Sequence, residues 1–132
     1  AICAAKHSEN YVVTASVDNV SFDSPIGLGD IITIEAAVTR AFNTSLEVFI
    51  EVFVHDIKNK KYRKSNNAYL TFVALDPDTM RPTKVPEVKP ENELEENLFA
   101  GALRRREIRL VLAGKMNPGD AIKVREYLDL HK

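Results

Sequence analysis

The chain has 132 residues, of which 45% are hydrophobic and 28% are charged, and its formal net charge is −1 at pH 7. A chain of this length can bury a hydrophobic core without disulfides or metal ions, so we expect one domain with no internal boundary. The nearly balanced charge excludes an overall basic surface that would by itself indicate nucleic acid or an anionic membrane as the partner.

The cysteine content and the hydropathy pattern bear on location. Cys3 is the single cysteine, which excludes an intrachain disulfide and is typical of a reducing compartment. No apolar run approaches the roughly 20 residues that a membrane-spanning helix needs. We therefore expect a cytoplasmic protein without a membrane anchor, a secretory signal or a membrane partner.

The first predicted elements are a helix end and a strand. Residues 1–8 favour a helix but have no capping residue ahead of them, so they predict the last turns of a helix whose beginning is absent. Residues 11–22 predict a strand with polar side chains on one face, namely Thr14, Ser16 and Asp18. A turn at residues 27–30, which contains two glycines, leads into the next segment.

Residues 31–75 contain three consecutive segments of apolar alternation and predict a β-meander. Residues 31–40 connect through a turn around Asn43 to residues 45–56, and residues 68–75 follow across a polar loop at 58–67. In the middle segment, one predicted face is aliphatic and the other carries Phe49 and Phe53 between glutamates. We expect this second face to be partly covered in an assembly.

The C-terminal third predicts helices. Four prolines between residues 77 and 90 favour an extended connection along the surface. A helix is predicted from the acidic turn after Pro90 to about Ala113, with Gly114 as its stop, and a second short helix follows from Asn117. Antiparallel strands followed by helices predict an α+β domain in which one helix covers one face of the sheet.

Several sequence words resemble those of the hotdog-fold acyl-CoA thioesterases, specifically the branch of brain-type acyl-CoA hydrolases and their bacterial relatives. The words are Ala-Ala-Lys-His at residues 4–7, Val-Val-Thr-Ala-Ser-Val-Asp at 12–18, Asn-Thr-Ser-Leu-Glu-Val at 43–48 and Ala-Tyr-Leu-Thr-Phe-Val-Ala at 68–74. The resemblance covers most of the chain. It implies a single hotdog domain over residues 1–132, with an antiparallel sheet wrapped around a central helix and a C-terminal helical extension from residue 90.

The resemblance also implies an assembly and a reaction. Two subunits join their sheets edge to edge, the active sites form at that interface, and dimers combine into a trimer of dimers. The catalytic carboxylate belongs to the central helix, and we expect it just ahead of Ala1, along with the first strand and most of that helix. The implied reaction converts acyl-CoA and water to a carboxylic acid and free coenzyme A, with no metal and no cofactor beyond the coenzyme A moiety of the substrate.

The same resemblance suggests supporting residues within this chain. Thr14 matches the family word, and its hydroxyl could orient the attacking water or the carboxylate, although an ordinary strand hydroxyl is the alternative. Ser16 and Asp18 are expected on the same face as weaker candidates. Phosphate groups of coenzyme A need positive charge and hydrogen-bond donors. The candidates for this role lie at the first hairpin or reach it from the next strand or a neighbouring subunit: Arg40, Asn43, Thr44, Ser45, Arg63 and Lys64.

Other polar groups have structural explanations. Cys3 and His7 share one helical face, which fits a nucleophile pair or half of a metal site, but no third ligand is visible and we predict no metal site. The basic residues at 58–64 fit a solvated loop better than a nucleic-acid contact, so no nucleic-acid partner is predicted. Two alternatives to the thioesterase stay open: a hotdog dehydratase that acts on acyl thioesters, and an acyl-CoA or nucleotide-binding module without turnover.

Overall fold

The computed structural model of the chain describes the backbone of residues 1–22 and 26–130 and the side chains of residues 1–17 and 26–130. It divides into two compact units, Ala1–Val88 and Lys89–Lys132. The division falls close to the predicted start of the C-terminal helical extension. The expectation of a single domain stays a prediction.

The first unit contains one short helix and a four-stranded antiparallel sheet. Helix α1 spans Ile2–Ser8. The strands are β1 Tyr11–Phe22, β2 Ile31–Ala41, β3 Ser45–Asp56 and β4 Lys61–Leu75, and their order in the sheet is β1-β4-β3-β2. The α+β class and the predicted meander of β2, β3 and β4 are therefore confirmed, and β1 pairs with the last strand of the meander.

The hydrophobic core lies between α1 and one face of the sheet, which we call the helix-covered face. The alternation of aliphatic residues along β3 explains the position of this core, because every second side chain of a strand points to the same side of the sheet. The buried members of the core are Ala4, Leu46, Val48, Phe72, Ala74 and Val85. We call the opposite side of the sheet the outer face.

Helix α1 ends where the sequence predicts. Glu9 adopts the left-handed conformation with a φ of 57°, and its backbone N–H donates to the Ala5 carbonyl at 2.8 Å. This C-terminal cap turns the chain directly into β1, so the helix and the first strand pack closely together.

The predicted polar loop at residues 58–67 is wrong in its extent, because β4 already begins at Lys61. The long strand β3 offers pairing partners as far as Asp56, which lies opposite Lys61. Residues 57–60 alone make the turn, where Lys60 has a φ of 54°. The sequence does not show a two-residue alternation in this part of β4, because Ser65 is an extra, fully buried residue at a bulge opposite β3.

The connection after β4 also differs from the prediction, since it does not run entirely along the surface. Val85 is buried in the core, and its backbone N–H donates to the Asn43 carbonyl at 3.0 Å. The ring nitrogen Nε2 of His7 donates to the Pro86 carbonyl at 2.8 Å. The segment is therefore held against both the first hairpin and α1.

The second unit is helical, as predicted. Helix α2 spans Glu93–Leu112, and the side chain of Asn92 caps it by accepting a hydrogen bond from the backbone N–H of Glu95 at 2.8 Å. A 3₁₀ turn at Pro118–Asp120 precedes α3, Ile122–Leu130. The two helices contact each other through the Arg104 guanidinium, which lies 3.9 Å from the centre of the Tyr127 ring.

The core placement makes a stability prediction. Replacing the fully buried Leu46 by alanine should lower the free energy of unfolding by about 2–5 kcal/mol, because it removes buried methyl groups and leaves a cavity. The control Ile34→Ala lies on β2, where the side chain is 66% exposed, and should cost about 1 kcal/mol or less. Urea unfolding at one protein concentration checks both values, and equal losses would contradict the placement of the core.

Candidate active site

Thr14 lies on the helix-covered face of the sheet. It pairs directly with Phe72 of β4, which in turn pairs with Leu46 of β3, and directly paired residues point to the same side. Phe72 and Leu46 pack against Ala4 of α1, whereas the Thr14 side chain is exposed. The Thr14 hydroxyl is thus presented at the end of a buried row, beside the short helix.

Ser16 does not share this face, so that part of the prediction is wrong. The register of β1 shifts between Thr14 and Ser16, and Ala15 is the extra residue of this irregularity. Ser16 consequently pairs with Thr71, the neighbour of Phe72, on the outer face. The backbone of Asp18 pairs with Tyr69, but the predicted role of its side chain lies outside the described residues.

A buried polar pair, Thr39 and Glu47, lies on the outer face next to Thr71, which pairs with Ser16. Glu47 pairs with Thr71 and is only 1% exposed. Its Oε1 accepts a hydrogen bond of 2.6 Å from Oγ1 of the buried Thr39, which is the extra residue at a register shift of β2. The sequence analysis did not predict this hydrogen-bonded pair. The sequence feature that could have indicated it is a threonine and a glutamate placed symmetrically on either side of a short hairpin turn.

Arg40 stands beside this pair. It pairs with Glu47 across β2 and β3, so its side chain belongs to the outer face. Partial burial lowers the pKa of Arg40 because it removes water from around the guanidinium. Arginine nevertheless stays protonated at neutral pH, and the group supplies a positive charge near the first hairpin.

The hairpin between β2 and β3 is held by backbone hydrogen bonds from two directions. The Thr44 carbonyl accepts from the backbone N–H of Ala74 at 2.9 Å, and the Asn43 carbonyl accepts from Val85. The Asn43 side chain is exposed, and those of Thr44 and Ser45 are half-buried. Ligand contacts at this turn would therefore come from side chains and amide groups.

The structure brings Thr14 and this hairpin to the same part of the sheet. Leu46, which directly follows the turn, is two strand spacings from Thr14, or about 10 Å between Cα atoms. An elongated ligand can contact both places.

Arg63 and Lys64 lie elsewhere. Lys64 pairs with Phe53, eight residues along β3 from Ser45, which places it about 26 Å from the hairpin. The Lys64 ammonium pairs with Glu51 at 3.1 Å, and the Arg63 guanidinium lies 4.0 Å from Asp30. The expectation that the next strand carries these two residues to the hairpin is wrong. Their contribution from a neighbouring subunit stays a prediction.

The pairing of Cys3 with His7 gains no support. Cys3 packs half-buried against the core, and His7 uses Nε2 for the Pro86 carbonyl. Among the side chains that the structure describes, no group of three or more His, Cys, Asp or Glu residues could hold a metal ion. In the same part of the chain, no helix is long and apolar enough to cross a membrane.

Comparison with known proteins gives consistent matches. The family model described as thioesterase superfamily matches residues 1–60. The uncharacterized acyl-CoA thioester hydrolase YkhA of Bacillus subtilis is 39% identical over 104 residues, which make up 79% of this chain and 60% of that protein. The chain spans about three fifths of the length of this and other curated relatives that it matches.

Solved structures match over more of their length. An apo-hexameric acyl-CoA thioesterase is 36% identical, with a TM-score of 0.78 and coverage of 85% of this chain and 73% of the other. The acyl-CoA hydrolase of Staphylococcus aureus, solved in complex with butyryl coenzyme A, coenzyme A and coenzyme A disulfide, is 37% identical, with a TM-score of 0.76 and coverage of 97% and 76%. The chain therefore belongs to the thioesterase superfamily and has the fold of its hotdog acyl-CoA thioesterase structures.

Proposed function

We propose that the protein hydrolyses acyl-CoA to a carboxylic acid and free coenzyme A. The observation that carries the proposal is the exposed Thr14 hydroxyl at the end of the buried row under α1, in a chain that belongs to the thioesterase superfamily. Among its relatives are proteins named as acyl-CoA hydrolases, and one of these binds coenzyme A derivatives.

Thioester hydrolysis sets the chemical requirements. Water or a carboxylate attacks the carbonyl carbon, negative charge develops on the carbonyl oxygen, and the coenzyme A thiolate leaves. The Thr14 hydroxyl can accept a hydrogen bond from water and donate one to a carboxylate, so it can hold the two in line for attack. The aspartate expected on the helix ahead of Ala1 would activate the water or act as the nucleophile, and this assignment stays a prediction. No cofactor is assigned to the reaction.

The nucleotide portion of coenzyme A is assigned to the first hairpin. The hydroxyl and amide groups at residues 43–45 can donate to phosphate oxygens, and Arg40 adds a positive charge three residues before Asn43. The spacing of about 10 Å from Thr14 suits a ligand whose thioester and phosphates lie at opposite ends of a flexible arm.

We further infer that two copies join along β1. This strand is an edge of the sheet and exposes apolar side chains, among them Tyr11, Val13 and Val17. An edge strand offers unpaired backbone donors and acceptors to another strand. Pairing at this edge would place Thr14 of each copy at the interface, so the active sites would depend on the dimer.

The outer face supports a second contact between dimers. Phe49 lies 4.8 Å from Tyr69 and Phe53 lies 5.3 Å from Tyr62, measured between ring centres. Half-exposed aromatic rings in such a row are typical of buried interfaces. A trimer of dimers would agree with the hexameric assembly named for a similar structure.

The location of the protein stays the sequence-based prediction of the cytoplasm, which rests on one cysteine.

The role of Thr14 predicts a specific loss of activity. In an assay of free thiol release across short to long acyl-CoA substrates, Thr14→Ala should lower kcat by about 10²-fold because the water loses its orienting partner. Thr14→Ser keeps the hydroxyl and should stay within about tenfold of the unaltered protein. Thr33→Ala is the matched control, since Thr33 is an exposed strand threonine far along β2.

Three outcomes would contradict the proposed function. Thiol release by Thr14→Ala equal to that of the Thr33 control would remove Thr14 from the site. Tight acyl-CoA binding without thiol release on any chain length would favour the binding module. Loss of the double bond of an enoyl-CoA, again without thiol release, would favour the dehydratase.

The assembly predicts a solution mass by light scattering of six times the intact mass of the chain, which is about 89 kDa for residues 1–132 alone at 14.8 kDa each. Phe53→Asp should reduce this mass toward that of a dimer, because the charge would be buried between outer faces. Met80→Asp, at an exposed position after β4, is the control and should keep the full mass. A mass equal to one chain for the unaltered protein would contradict both contacts.

A further inference from the structure

One end of the sheet in the first unit combines exposed apolar side chains with lysines. The pairing of Ile31 with His55 brings the loop before β2 and the turn after β3 to the same end. Arg63, near the start of β4, lies 4.0 Å from Asp30 in the loop before β2. We call this region the hairpin-end patch and define it by Ile26, Leu28, Ile31, Ile57, Lys58, Lys60 and Lys61.

The apolar members of the patch protrude into solvent. Leu28 is fully exposed, Ile57 is 61% exposed and Ile31 is 53% exposed. A single exposed aliphatic side chain is normal on a soluble protein, but several at one end of a sheet mark an interaction surface. Between Ile31, Ile57 and Tyr62 lies a shallow depression of about 480 Å³, which is also lined by Lys60 and Lys61.

The charges at this end are predominantly positive. Lys58, Lys60 and Lys61 are exposed, and none of them forms an ion pair within the described part of the chain. Arg63 and Lys64 are further from the tip and lie near Asp30 and Glu51. The patch therefore presents three ammonium groups around its aliphatic side chains.

One carboxylate lies among these lysines, and it is engaged by the turn. Asp56 accepts hydrogen bonds from the Asn59 side chain at 2.8 Å and from the Asn59 backbone N–H at 3.2 Å. The bond from the Asn59 side chain is the main cause that lowers the pKa of Asp56, followed by the bond from its backbone. This network and the left-handed Lys60 fix the turn, so Ile57 and Lys58 are held at its tip.

We propose that the hairpin-end patch docks the protein onto the surface of an anionic lipid bilayer. Leu28, Ile57 and Ile31 would enter the boundary between headgroups and acyl chains, and the three lysines would contact headgroup phosphates. This docking is peripheral and revises the sequence-based expectation of no membrane partner, which considered spanning segments and net charge alone. It does not depend on the proposed hydrolysis.

A bilayer fits the patch better than a polyanion without an apolar layer. Nucleic acid would use aromatic faces for base stacking, whereas Tyr62 already stacks on Phe53 with an angle of 7° between the rings and contacts His55. A phosphate backbone offers no apolar layer in which the side chains of Leu28 and Ile57 could be buried. A lipid surface offers apolar depth and negative charge together, which matches both halves of the patch.

The test is sedimentation of the whole chain with vesicles at low ionic strength. Vesicles of phosphatidylcholine with about 30% phosphatidylglycerol should bind the protein at least tenfold more tightly than phosphatidylcholine alone, and about 0.5 M salt should remove most of the difference. The triple variant K58E/K60E/K61E should lose about 100-fold or more, since each lysine contributes roughly fivefold. The pair L28S/I57S should lose about tenfold while keeping the salt dependence.

Matched controls lie after β4, away from the patch. K84E changes one exposed charge and M80S one exposed apolar side chain, and both should bind vesicles like the unaltered protein. Far-ultraviolet circular dichroism of every variant must match that of the unaltered chain. K58Q/K60Q/K61Q, which removes charge without reversing it, provides a second measurement if K58E/K60E/K61E does not fold.

Four results would overturn the proposal. These are equal binding to neutral and anionic vesicles, folded patch variants that bind as tightly as the controls, binding of an oligothymidine probe with no vesicle binding, and a drop in solution mass caused by L28S/I57S. The last two would assign the patch to nucleic acid and to self-association respectively.

Discussion

The structure depends on the packing of α1 against the centre of the sheet. Ala4 is small enough to let the helix approach the strands closely, and Leu46 and Phe72 fill the space beneath it. This contact fixes which face of the sheet is dry. It also places Thr14, the next residue in the same row, at the border between the buried core and solvent. A polar group at such a border can act on a ligand without the cost of full burial.

The irregularity at Ala15 then separates the two sides of the sheet chemically. Thr14 stays with α1, whereas Ser16 joins Thr71 and Glu47 on the outer face. The outer face combines a buried hydrogen-bonded glutamate with a row of aromatic rings, which suits a specific contact surface. Thr14 and the aromatic row proposed as the contact between dimers therefore lie on opposite faces of the same sheet.

The sequence predicted the strands, the meander and the C-terminal helices because alternation and helical spacing are local properties. The sequence-based prediction failed where one extra residue interrupts the two-residue alternation of a strand. Ala15 and Ser65 are such residues, and each moves the side chains that follow it to the other face of the sheet. An alanine or a serine in a strand carries no sequence signal for a bulge. Thr14 could be proposed only through a family resemblance. Arg63 and Lys64 were predicted to reach the first hairpin because their positive charges suit phosphate groups. Only the register of β4 shows that they lie about 26 Å from that hairpin.

The most direct test of the central claim is a crystal structure with a ketone analogue of acyl-CoA, in which a methylene group separates the carbonyl from the sulfur. The account predicts this carbonyl, or the water beside it, within about 3 Å of the Thr14 hydroxyl oxygen. It also predicts the phosphates at the hairpin of residues 43–45. An analogue whose carbonyl lies on the outer face near Glu47, or out of contact with Thr14, would contradict the account.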